Sequence, residues 1–583
     1  MLRVANCSGF YGDRLSAARE MVEGGPIDVL TGDWLAELTM LILAGNRLKG
    51  RPGYAPTFLR QLEEVLGTCL DRGVRIVSNA GGLDPAGCAE AVAELAGRLG
   101  LPVRVAHVTG DDLTGRDLGG ALNADTGEPL PAPALTANAY LGGRPIAAAL
   151  SAGADVVVTG RVTDAALVTG PGIWRYGWGP GDLDALAGSV VAGHVIECGC
   201  QATGGNYAFF GEVPDPARCG FPLVELAADG SSVVTKHPGT GGLVSVGTVT
   251  AQLLYEIGSP RYLGPDVVAR FDTIRLEQEG PDRVRVSGVR GEAPPDTLKV
   301  AVNYLAGYRN TMTLVLTGLD IEAKARLAEE AIWSRVPKES FDEVHVELTP
   351  LAGTALLRVT VMDADRRRAG RAFSSAVVET GLASYPGFYG LTPPGDASPY
   401  GVYWPTLVPA DTVRARVWLD GRELPDVPDA TAVSGAHGVP GTRDVPAAPG
   451  VIGAPEVTVA RVTGGGETVR VALGAIAGAR SGDKGGNANL GVWVRTAEQF
   501  GWLEGYLTVE RLTELLPFTG GLRVERFELP NLLALNFVVH GLLGRGVAAS
   551  PRLDAQAKAL GEELRAGLAD IPRHLLRPRP YDL

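Results

Sequence analysis

The first 260 residues repeat one local pattern, in which a short apolar run leads through a glycine-containing turn into a helical stretch. Strands that alternate with helices in this way predict a parallel α/β sheet. The helix with the clearest start has Asp84 as N-cap and Pro85 as its first helical residue. An earlier helix is predicted to bury one apolar face, made of Trp34, Leu38 and Leu41.

Four of the predicted strands end in turns that carry polar groups. Three turns have Thr-Gly followed by a charged residue, and the fourth has Ser-Asn-Ala-Gly-Gly; they lie at residues 31–33, 109–111, 159–161 and 78–82. Ligands of open parallel sheets bind at the carboxyl ends of the strands, so the four turns are predicted to line one edge. The alternative is that Thr-Gly is simply favourable turn chemistry.

These turns offer side chains and backbone groups for a site. Two acids, Asp33 and Asp164, are candidate general acid–base groups. The candidate substrate-binding residues of this edge are Asn79, Gly81, Gly82 and Arg161.

The pattern changes after residue 260, and three further units are predicted. Residues 261–423 contain polar-alternating strands and two helices, which predicts an α+β domain. Residues 424–467 are rich in proline and glycine and predict a linker. Residues 468–583 predict two strands, a helix, two strands and a last helix from Asp554, as in a rearranged ferredoxin-like sandwich. The predicted fold class is therefore α/β, with a parallel-sheet N-terminal domain at residues 1–260, an α+β second domain and a ferredoxin-like α+β C-terminal domain.

Residues 478–490 form the most distinctive stretch, with two cations, an anion, a hydroxyl and two amides among four glycines. The stretch is predicted to be a glycine-rich loop between two strands. Such a loop can present backbone N–H groups and cations to an anion. Its spacing does not match a Walker A motif. The alternative is an ordered hairpin in which Asp483 and Lys484 neutralise each other. The candidate substrate-binding residues here are Arg480, Ser481, Asp483, Lys484 and Asn487.

Residues 192–206 contain His194, Glu197, Cys198 and Cys200 close together. Histidine and glutamate three residues apart share a helix face, and the pair is assigned a catalytic or substrate-orienting role. A metal site and a cysteine nucleophile are alternatives, but no second His/Cys cluster of zinc spacing occurs, and no metal is predicted. A satisfied, partly buried polar segment is favoured over either of these two alternatives.

Two weaker signals accompany these stretches. Residues 236–242 form a glycine turn before a predicted helix at 243–254, and Gly241 and Gly242 are candidate anion-binding groups. Residues 6–13 resemble a strand-to-helix loop, but they lack the Gly-x-Gly-x-x-Gly of a dinucleotide fold, which argues against NAD.

Charge and composition exclude several classes of protein. Lys and Arg number 53 against 66 Asp and Glu, a net charge of −13, so nucleic acid is not expected as a partner. No run of about 18 apolar residues predicts a membrane span. Six scattered cysteines do not suggest a disulfide framework, and the chain starts with a predicted strand instead of a signal peptide. Together these features predict a cytoplasmic protein.

Taken together, the motifs resemble the acyclic terpene utilisation (AtuA) family. The segments that carry the resemblance are residues 6–13, 31–33, 78–85, 159–164, 193–205, 236–254 and 478–490, with 481–485 the most specific. The resemblance covers nearly the whole chain. It implies a long N-terminal region followed by a ferredoxin-like domain, and an association with the catabolism of citronellol- and geraniol-type compounds through branched acyl-CoA thioesters. It transfers no catalytic residues.

Three functions remain open at this stage. The first is a hydratase or lyase acting on a branched or terpenoid acyl-CoA, with Asp33, Asp164 or Glu197 handling protons and glycine-turn N–H groups stabilising an enolate-like state. The second is a non-catalytic binding or assembly subunit that uses Asp483 and Lys484 for contact. The third is a nucleotide-dependent enzyme with Lys484 on a phosphate. No separate cofactor is predicted, since CoA enters as part of the substrate, and a homo-oligomer is expected.

Overall fold

The computed structural model describes residues 1–118, 120–425 and 467–576. The predicted linker at 424–467 lies outside the described residues except at its two ends. None of the helices in the described ranges has the length and hydropathy that crossing a bilayer requires.

The first 260 residues alternate strands with helices, as predicted. The strands are β1 Leu2–Asn6, β2 Val29–Gly32, β3 Arg75–Ser78, β4 Val105–Thr109, β5 Ala134–Ala139, β6 Val156–Thr159, β7 Pro222–Leu226 and β8 Ser232–Lys236. The helices are α1 Ala17–Gly24, α2 Glu37–Leu48, α3 Pro56–Arg72, α4 Pro85–Leu99, α5 Arg144–Ser151, α6 Ala166–Tyr176, α7 Leu183–Ile196 and α8 Val246–Leu253. Helix α4 begins as expected, because the Asp84 side chain accepts a hydrogen bond from the Gly87 N–H at 2.9 Å.

Strands dominate the next part of the chain. They are β9 Arg261–Leu263, β10 Val268–Arg270, β11 Arg275–Gly280, β12 Arg283–Ser287, β13 Arg290–Glu292, β14 Thr297–Thr317, β15 Glu343–Leu351, β16 Thr354–Asp363, β17 Tyr389–Gly390, β18 Ser398–Pro409, β19 Arg416–Leu419 and β20 Arg422–Glu423. Two α-helices of the described residues lie among them, α9 Ile321–Trp333 and α10 Phe373–Glu379.

Residues 467–576 form the C-terminal domain, with strands on both sides of a helical pair. The strands are β21 Thr468–Ala472, β22 Gly478–Lys484, β23 Asn487–Trp493, β24 Val524–Leu529, β25 Ala534–Val539 and β26 Leu568–Pro572. The helices are α11 Ala497–Tyr506, α12 Val509–Leu515 and α13 Leu560–Ala566. Strands β22-β23-β25-β24 form an antiparallel sheet, and β21 pairs with β26. The predicted ferredoxin-like α+β domain is confirmed.

Eleven strands of the described residues form the largest sheet, in the order β11-β12-β8-β7-β1-β2-β3-β6-β4-β19-β20. Its centre, β1-β2-β3-β6-β4, is parallel, and the flanking strands β7 and β19 are antiparallel to it. The predicted parallel α/β sheet is therefore confirmed. Because β2, β3, β6 and β4 are neighbours, the four turns that follow them lie along one edge.

The second large sheet contains β14, a strand of 21 residues that pairs with β16, β17, β18 and β5. Strand β5 comes from the first 260 residues, whereas β11, β12, β19 and β20 of the first sheet come from beyond them. The chain thus exchanges strands across residue 260, and the predicted boundary there stays a prediction.

The helix after β2 differs from its prediction. Helix α2 begins at Glu37 and buries Met40 and Leu43, whereas Leu38 is partly exposed. Trp34 is buried in the preceding turn, where its ring packs edge to face on Phe58 with the ring centres 5.2 Å apart. Because the turn continues past Trp34, the buried face of the helix is shifted along the sequence.

The predicted loop at 478–490 is wrong, because these residues form the hairpin β22-β23 with a turn at residues 485–486. Glycines of this hairpin allow residues 254 and 255 to pack directly against its backbone. A Cβ on Gly482 would lie 2.6 Å from the Tyr255 ring, and a Cβ on Gly491 would lie 2.4 Å from the Cβ of Leu254. The predicted helix from Asp554 starts later, as α13, and strand β26 after it has no counterpart in the sequence prediction.

Candidate functional site

The turn after β2 is fixed to the turn after β3 by side-chain hydrogen bonds. The Asp33 Oδ1 atom accepts bonds from the Leu35 N–H at 2.9 Å and from the Asn79 Nδ2 at 2.5 Å. The Asn79 Oδ1 atom in turn accepts from the Trp34 N–H at 2.8 Å. Burial, reinforced by the negative charge of Asp164, raises the pKa of the Asp33 carboxyl well above its usual range.

Arg161, in the turn after β6, connects the same edge to its neighbours. Its backbone N–H donates to the Asp111 Oδ2 at 2.9 Å, and its Nη1 donates to the Leu35 carbonyl at 2.5 Å. The guanidinium lies 4.4 Å from the ring centre of Tyr140, and Nη2 lies 3.4 Å from the Asp164 Oδ1. Burial opposes the charge, but Tyr140 and Asp164 outweigh it and raise the pKa of Arg161, so this cation is permanent.

His194 and Glu197 lie at the C-terminal end of α7, where the predicted shared helix face brings them together. The His194 Nδ1 is 3.1 Å from the Glu197 Oε1, an ion-pair distance without hydrogen-bond alignment. Burial, together with the Lys484 cation, lowers the pKa of His194 to about 4. Burial, together with the Asp164 charge, raises the pKa of Glu197 well above its usual range. Burial thus keeps His194 neutral near neutral pH and favours the protonated form of Glu197.

The hairpin β22-β23 supplies charged groups from the C-terminal domain. The Lys484 Nζ donates to the Glu256 carbonyl at 2.9 Å. The Asp483 Oδ1 lies 3.2 Å from the Lys558 Nζ, which also lies 3.3 Å from the Glu256 Oε1. Asp483 and Lys484 thus have separate partners and do not neutralise each other. Burial, followed by the charge of Glu256, raises the pKa of Asp483 to about 6.

Arg480 connects this hairpin to residues 193–206. Its guanidinium donates to the side-chain oxygen of Gln201 and, at 3.3 Å, to the Asn206 carbonyl. It also stacks 4.6 Å from the ring centre of Tyr255. The C-terminal domain is therefore in direct contact with the segment that carries His194 and Glu197.

Lys299 of β14 extends the group of charges and was not found from the sequence. Its Nζ lies 3.7 Å from the Glu37 Oε1, 5.1 Å from the ring centre of Tyr140 and 5.5 Å from that of Tyr403. Burial, followed by the positive charge of Lys299, lowers the pKa of Lys484. Two cations therefore approach each other here, an arrangement that favours an anionic ligand.

Several buried polar atoms around these charges have no hydrogen-bond partner among the described residues. They are Arg161 Nε, Asp164 Oδ1, His194 Nδ1 and Nε2, Glu197 Oε2, Gln252 Oε1 and Tyr403 Oη. Each such atom costs about 1–3 kcal/mol if it stays unpaired. The Asp164 side chain nevertheless keeps 29% of its surface accessible. A concentration of unpaired atoms beside an accessible carboxylate indicates a ligand-binding site, which we call the carboxylate cluster: Asp33, Asp164, Glu197 and Glu256 with Arg161, Lys299 and Lys484.

The two cysteines of residues 192–206 do not have the environment of a nucleophile. Burial, followed by the charges of Glu197 and Glu256, raises the pKa of the Cys198 thiol well above its usual range. Burial raises the pKa of Cys200 to about 11. Neither thiol is a thiolate near neutral pH, so the geometry favours the carboxyls over the cysteines. Among the described residues, no group of three or more His, Cys, Asp or Glu side chains is arranged to hold a metal ion.

Several predicted binding residues have partners within the fold. The Ser481 Oγ accepts from the Gly561 N–H at 2.9 Å, and the Asn487 Oδ1 accepts from the Gly541 N–H at 2.9 Å. Both bonds stay inside the C-terminal domain. Their assignment to substrate binding stays a prediction.

The predicted glycine residues lie where the backbone of another segment approaches. A Cβ on Gly81 would meet the Thr159 carbonyl at 2.6 Å, and one on Gly241 would meet the Asp215 carbonyl at 2.5 Å. Gly82 and Gly242 both have positive φ angles, 53° and 93°. The glycine turn at 241–242 does not open a helix, since α8 begins at Val246 with Ser245 as its N-cap.

The comparisons with known proteins agree with this organisation. The model of the family described as "Acyclic terpene utilisation family protein AtuA" matches residues 2–419. The model of the "AtuA ferredoxin-like domain" matches residues 471–567. A search of the curated proteins and a search of the solved structures each gave no match. Because the first model spans well over half of the sequence and the second covers the domain that carries Lys484, the chain belongs to the acyclic terpene utilisation family AtuA.

Proposed function

We propose that this protein is an enzyme of branched-chain or terpenoid acyl-CoA metabolism that adds water to, or removes it from, an acyl thioester. The observation that carries the proposal is the carboxylate cluster, in which the buried carboxyls of Asp33 and Glu197 and the partly accessible carboxyl of Asp164 lie beside Arg161 and Lys484. Burial raises the pKa of Glu197 and so favours its protonated form, which is the form that a general acid requires.

Each part of the cluster has a role in this proposal. Asp164, in contact with the Arg161 cation and accessible, is the candidate base that removes the proton from the α-carbon. Glu197 is the candidate acid that protonates the departing hydroxyl, so that water leaves and a carbon–carbon double bond forms; hydration is the reverse. Lys484 or Arg161 would stabilise the enolate oxygen of the thioester as negative charge develops there.

The His194 side chain supports the acid. As a neutral imidazole 3.1 Å from the Glu197 carboxyl, it can accept a hydrogen bond from the protonated carboxyl after a small rotation and so orient the group. We assign it a positioning role. In this role His194 holds the protonated Glu197 carboxyl in position for the substrate.

The test uses branched acyl-CoA thioesters of the citronellyl and geranyl type in heavy water. Mass spectrometry measures deuterium at the α-carbon and the gain or loss of water. The variants Asp164→Asn and Glu197→Gln are each expected to lose activity by about 10²–10⁴-fold. The matched control is Asp266→Asn, a buried acid with a raised pKa whose Oδ2 accepts from the Gly143 N–H at 2.7 Å, outside the cluster.

Two results would contradict the proposal. One is that no thioester exchanges deuterium or changes by one water. The other is that Asp266→Asn loses as much activity as the cluster variants while all of them melt alike. Mass spectrometry of the purified protein then decides between the alternatives: a bound but unreacted acyl-CoA favours a binding subunit, and a bound nucleotide favours a nucleotide-dependent enzyme.

A further inference from the structure

A second polar cleft lies at the contact between the sheet of β15 and β16 and the C-terminal domain. It has a volume of about 360 Å³, within the range of small-ligand sites. Its lining residues include His345, Glu347, Arg358, Thr360, Pro551 and Arg552. None of them belongs to the carboxylate cluster. We call it the seam cleft.

Two arginines hold the C-terminal segment against this sheet. The Arg309 Nη1 donates to the Ser550 carbonyl at 3.2 Å, and the Arg358 Nη1 donates to the Pro551 carbonyl at 2.7 Å. Burial and the like charge of Arg358 lower the pKa of Arg309. Two cations are thus close together with carbonyls, and not carboxylates, as their hydrogen-bond partners. Such a pair leaves an excess of positive charge at the wall of the cleft.

Arg552 adds a third cation, and part of it is unsatisfied. Its Nε atom is buried with no hydrogen-bond partner, while its guanidinium lies 4.9 Å from the ring centre of Phe518. Among the ion pairs of the described residues none involves Arg552, although its charge acts on the nearby Glu563 carboxyl, where it opposes the raised pKa. The one acid in the lining, Glu347, is 3.8 Å from Arg358. Arg552 thus lines the cleft and carries a guanidinium N–H without an acceptor, a group that an anion bound beside it would satisfy.

The seam cleft is near the carboxylate cluster along the chain. Arg552 lines the cleft, and Lys558, six residues later, contacts Asp483 and Glu256 of the cluster region. Six residues span at most about 22 Å when fully extended. A long linear ligand can therefore have one end in each place.

We propose that the seam cleft binds a phosphate group, held by Arg552 and Arg358. Guanidinium groups match the oxygens of a phosphate with paired hydrogen bonds. Resting on the proposed function, the phosphate is that of the CoA moiety whose acyl group reaches the carboxylate cluster. A free phosphate ion would satisfy the same chemistry, and the experiment separates the two sources.

The experiment measures binding by calorimetry with three probes: CoA, adenosine 3′,5′-bisphosphate and inorganic phosphate. The variant Arg552→Gln removes the charge but keeps a similar length, and it is expected to weaken binding roughly tenfold or more. Arg552→Lys keeps the charge but lacks the planar guanidinium, so its affinity should lie between those of Arg552→Gln and the unsubstituted protein. The matched control, Arg523→Gln, removes an arginine of the same domain that is 71% exposed and pairs with Glu525.

The outcomes are distinct. A loss of affinity for CoA and the bisphosphate, with Arg523→Gln unchanged, supports a site for the CoA phosphate. A loss confined to inorganic phosphate supports a site for a free phosphate. Equal binding of all three probes by Arg552→Gln and the unsubstituted protein, or no binding by either, overturns the proposal. No probe carries an acyl group and no variant touches the cluster, so failure here is separate from failure of the proposed hydration chemistry.

Discussion

The Glu197 carboxyl and the His194 imidazole meet at the end of α7 with 3.1 Å between Oε1 and Nδ1, and each is moved away from its charged form. Burial raises the pKa of the acid and lowers that of the base to about 4. An exposed pair of this kind would become an ion pair near neutral pH. Here burial disfavours the charged form of both side chains.

The first prediction concerns the pH dependence of stability through His194. The unfolded chain binds a proton at this residue near its usual pKa of 6.5, whereas the folded chain binds it only near 4. Falling pH therefore favours unfolding: the contribution of His194 is complete above about pH 6.5 and is lost between there and about pH 4. Between about pH 8 and about pH 5 the loss should be about 2 kcal/mol.

Urea unfolding of the protein and of His194→Gln at these two pH values measures this effect. Other titrating groups act alike in both proteins, so the difference between them isolates His194. The unsubstituted protein should lose more of its free energy of unfolding on acidification. Equal losses in both would show that His194 does not resist protonation in the folded state.

The second prediction concerns Lys484. Its charge is buried and its pKa is lowered, so the folded state is under an electrostatic cost that a methionine of similar length removes. Against this stands the loss of one hydrogen bond to the Glu256 carbonyl. Lys484→Met should change the free energy of unfolding by no more than about 1 kcal/mol while it loses acyl-CoA binding. Thermal melting and calorimetry on the same sample test this, and normal binding with a much lower melting temperature would make Lys484 structural.

Five of the seven members of the carboxylate cluster could be named from the sequence, and they are Asp33, Arg161, Asp164, Glu197 and Lys484. Asp33, Asn79, Arg161 and Asp164 follow buried strands, and parallel strands bring their carboxyl ends to one edge whatever their order. The His194–Glu197 pair could also be predicted, because a spacing of three residues places two side chains on one face of a helix.

The other two members, Glu256 and Lys299, could not be predicted, because their positions depend on packing between distant segments. Lys299 lies in the long strand β14, where an alternating polar residue has no distinguishing signal. Glu256 follows α8 and enters the cluster only because the hairpin β22-β23 packs against it. That hairpin was itself predicted as a loop, since the close contacts that require Gly482 and Gly491 are visible only in three dimensions.

The third prediction tests this packing with glycine substitutions. Gly491→Ala places a Cβ 2.4 Å from the Cβ of Leu254, too near the backbone for rotation to relieve it. We expect a destabilisation of about 1–3 kcal/mol, from overpacking. The control is Gly505→Ala near the end of α11, where a Cβ meets nothing within 4 Å and helix propensity predicts a neutral or slightly stabilising change. Equal melting temperatures for the two variants would show that the hairpin does not pack closely on residue 254.

The fourth prediction concerns two buried asparagines that attach the C-terminal sheet to residues 256–258. The Asn489 Oδ1 accepts from the Glu256 N–H at 2.7 Å, and its Nδ2 donates to the Asn536 Oδ1 at 2.5 Å. The Asn536 Nδ2 donates to the Gly258 carbonyl at 2.6 Å. Replacing either residue by alanine leaves the other short of a partner, and each change should cost about 1–3 kcal/mol.

The two substitutions should not be additive. Once Asn489 is alanine, Asn536 has already lost one bond, so Asn489→Ala with Asn536→Ala should cost less than the sum by about 0.5–3 kcal/mol. Asn531→Ala is the control partner: its Nδ2 donates to the Phe271 and Ile274 carbonyls at 2.9 Å each, with no bond to the other two asparagines. Asn489→Ala and Asn531→Ala should therefore add within about 0.5 kcal/mol. Chemical unfolding of the single and double variants measures these free energies. If both pairs of substitutions are additive, Asn489 and Asn536 act separately, and the position of Glu256 does not depend on a shared hydrogen-bond network.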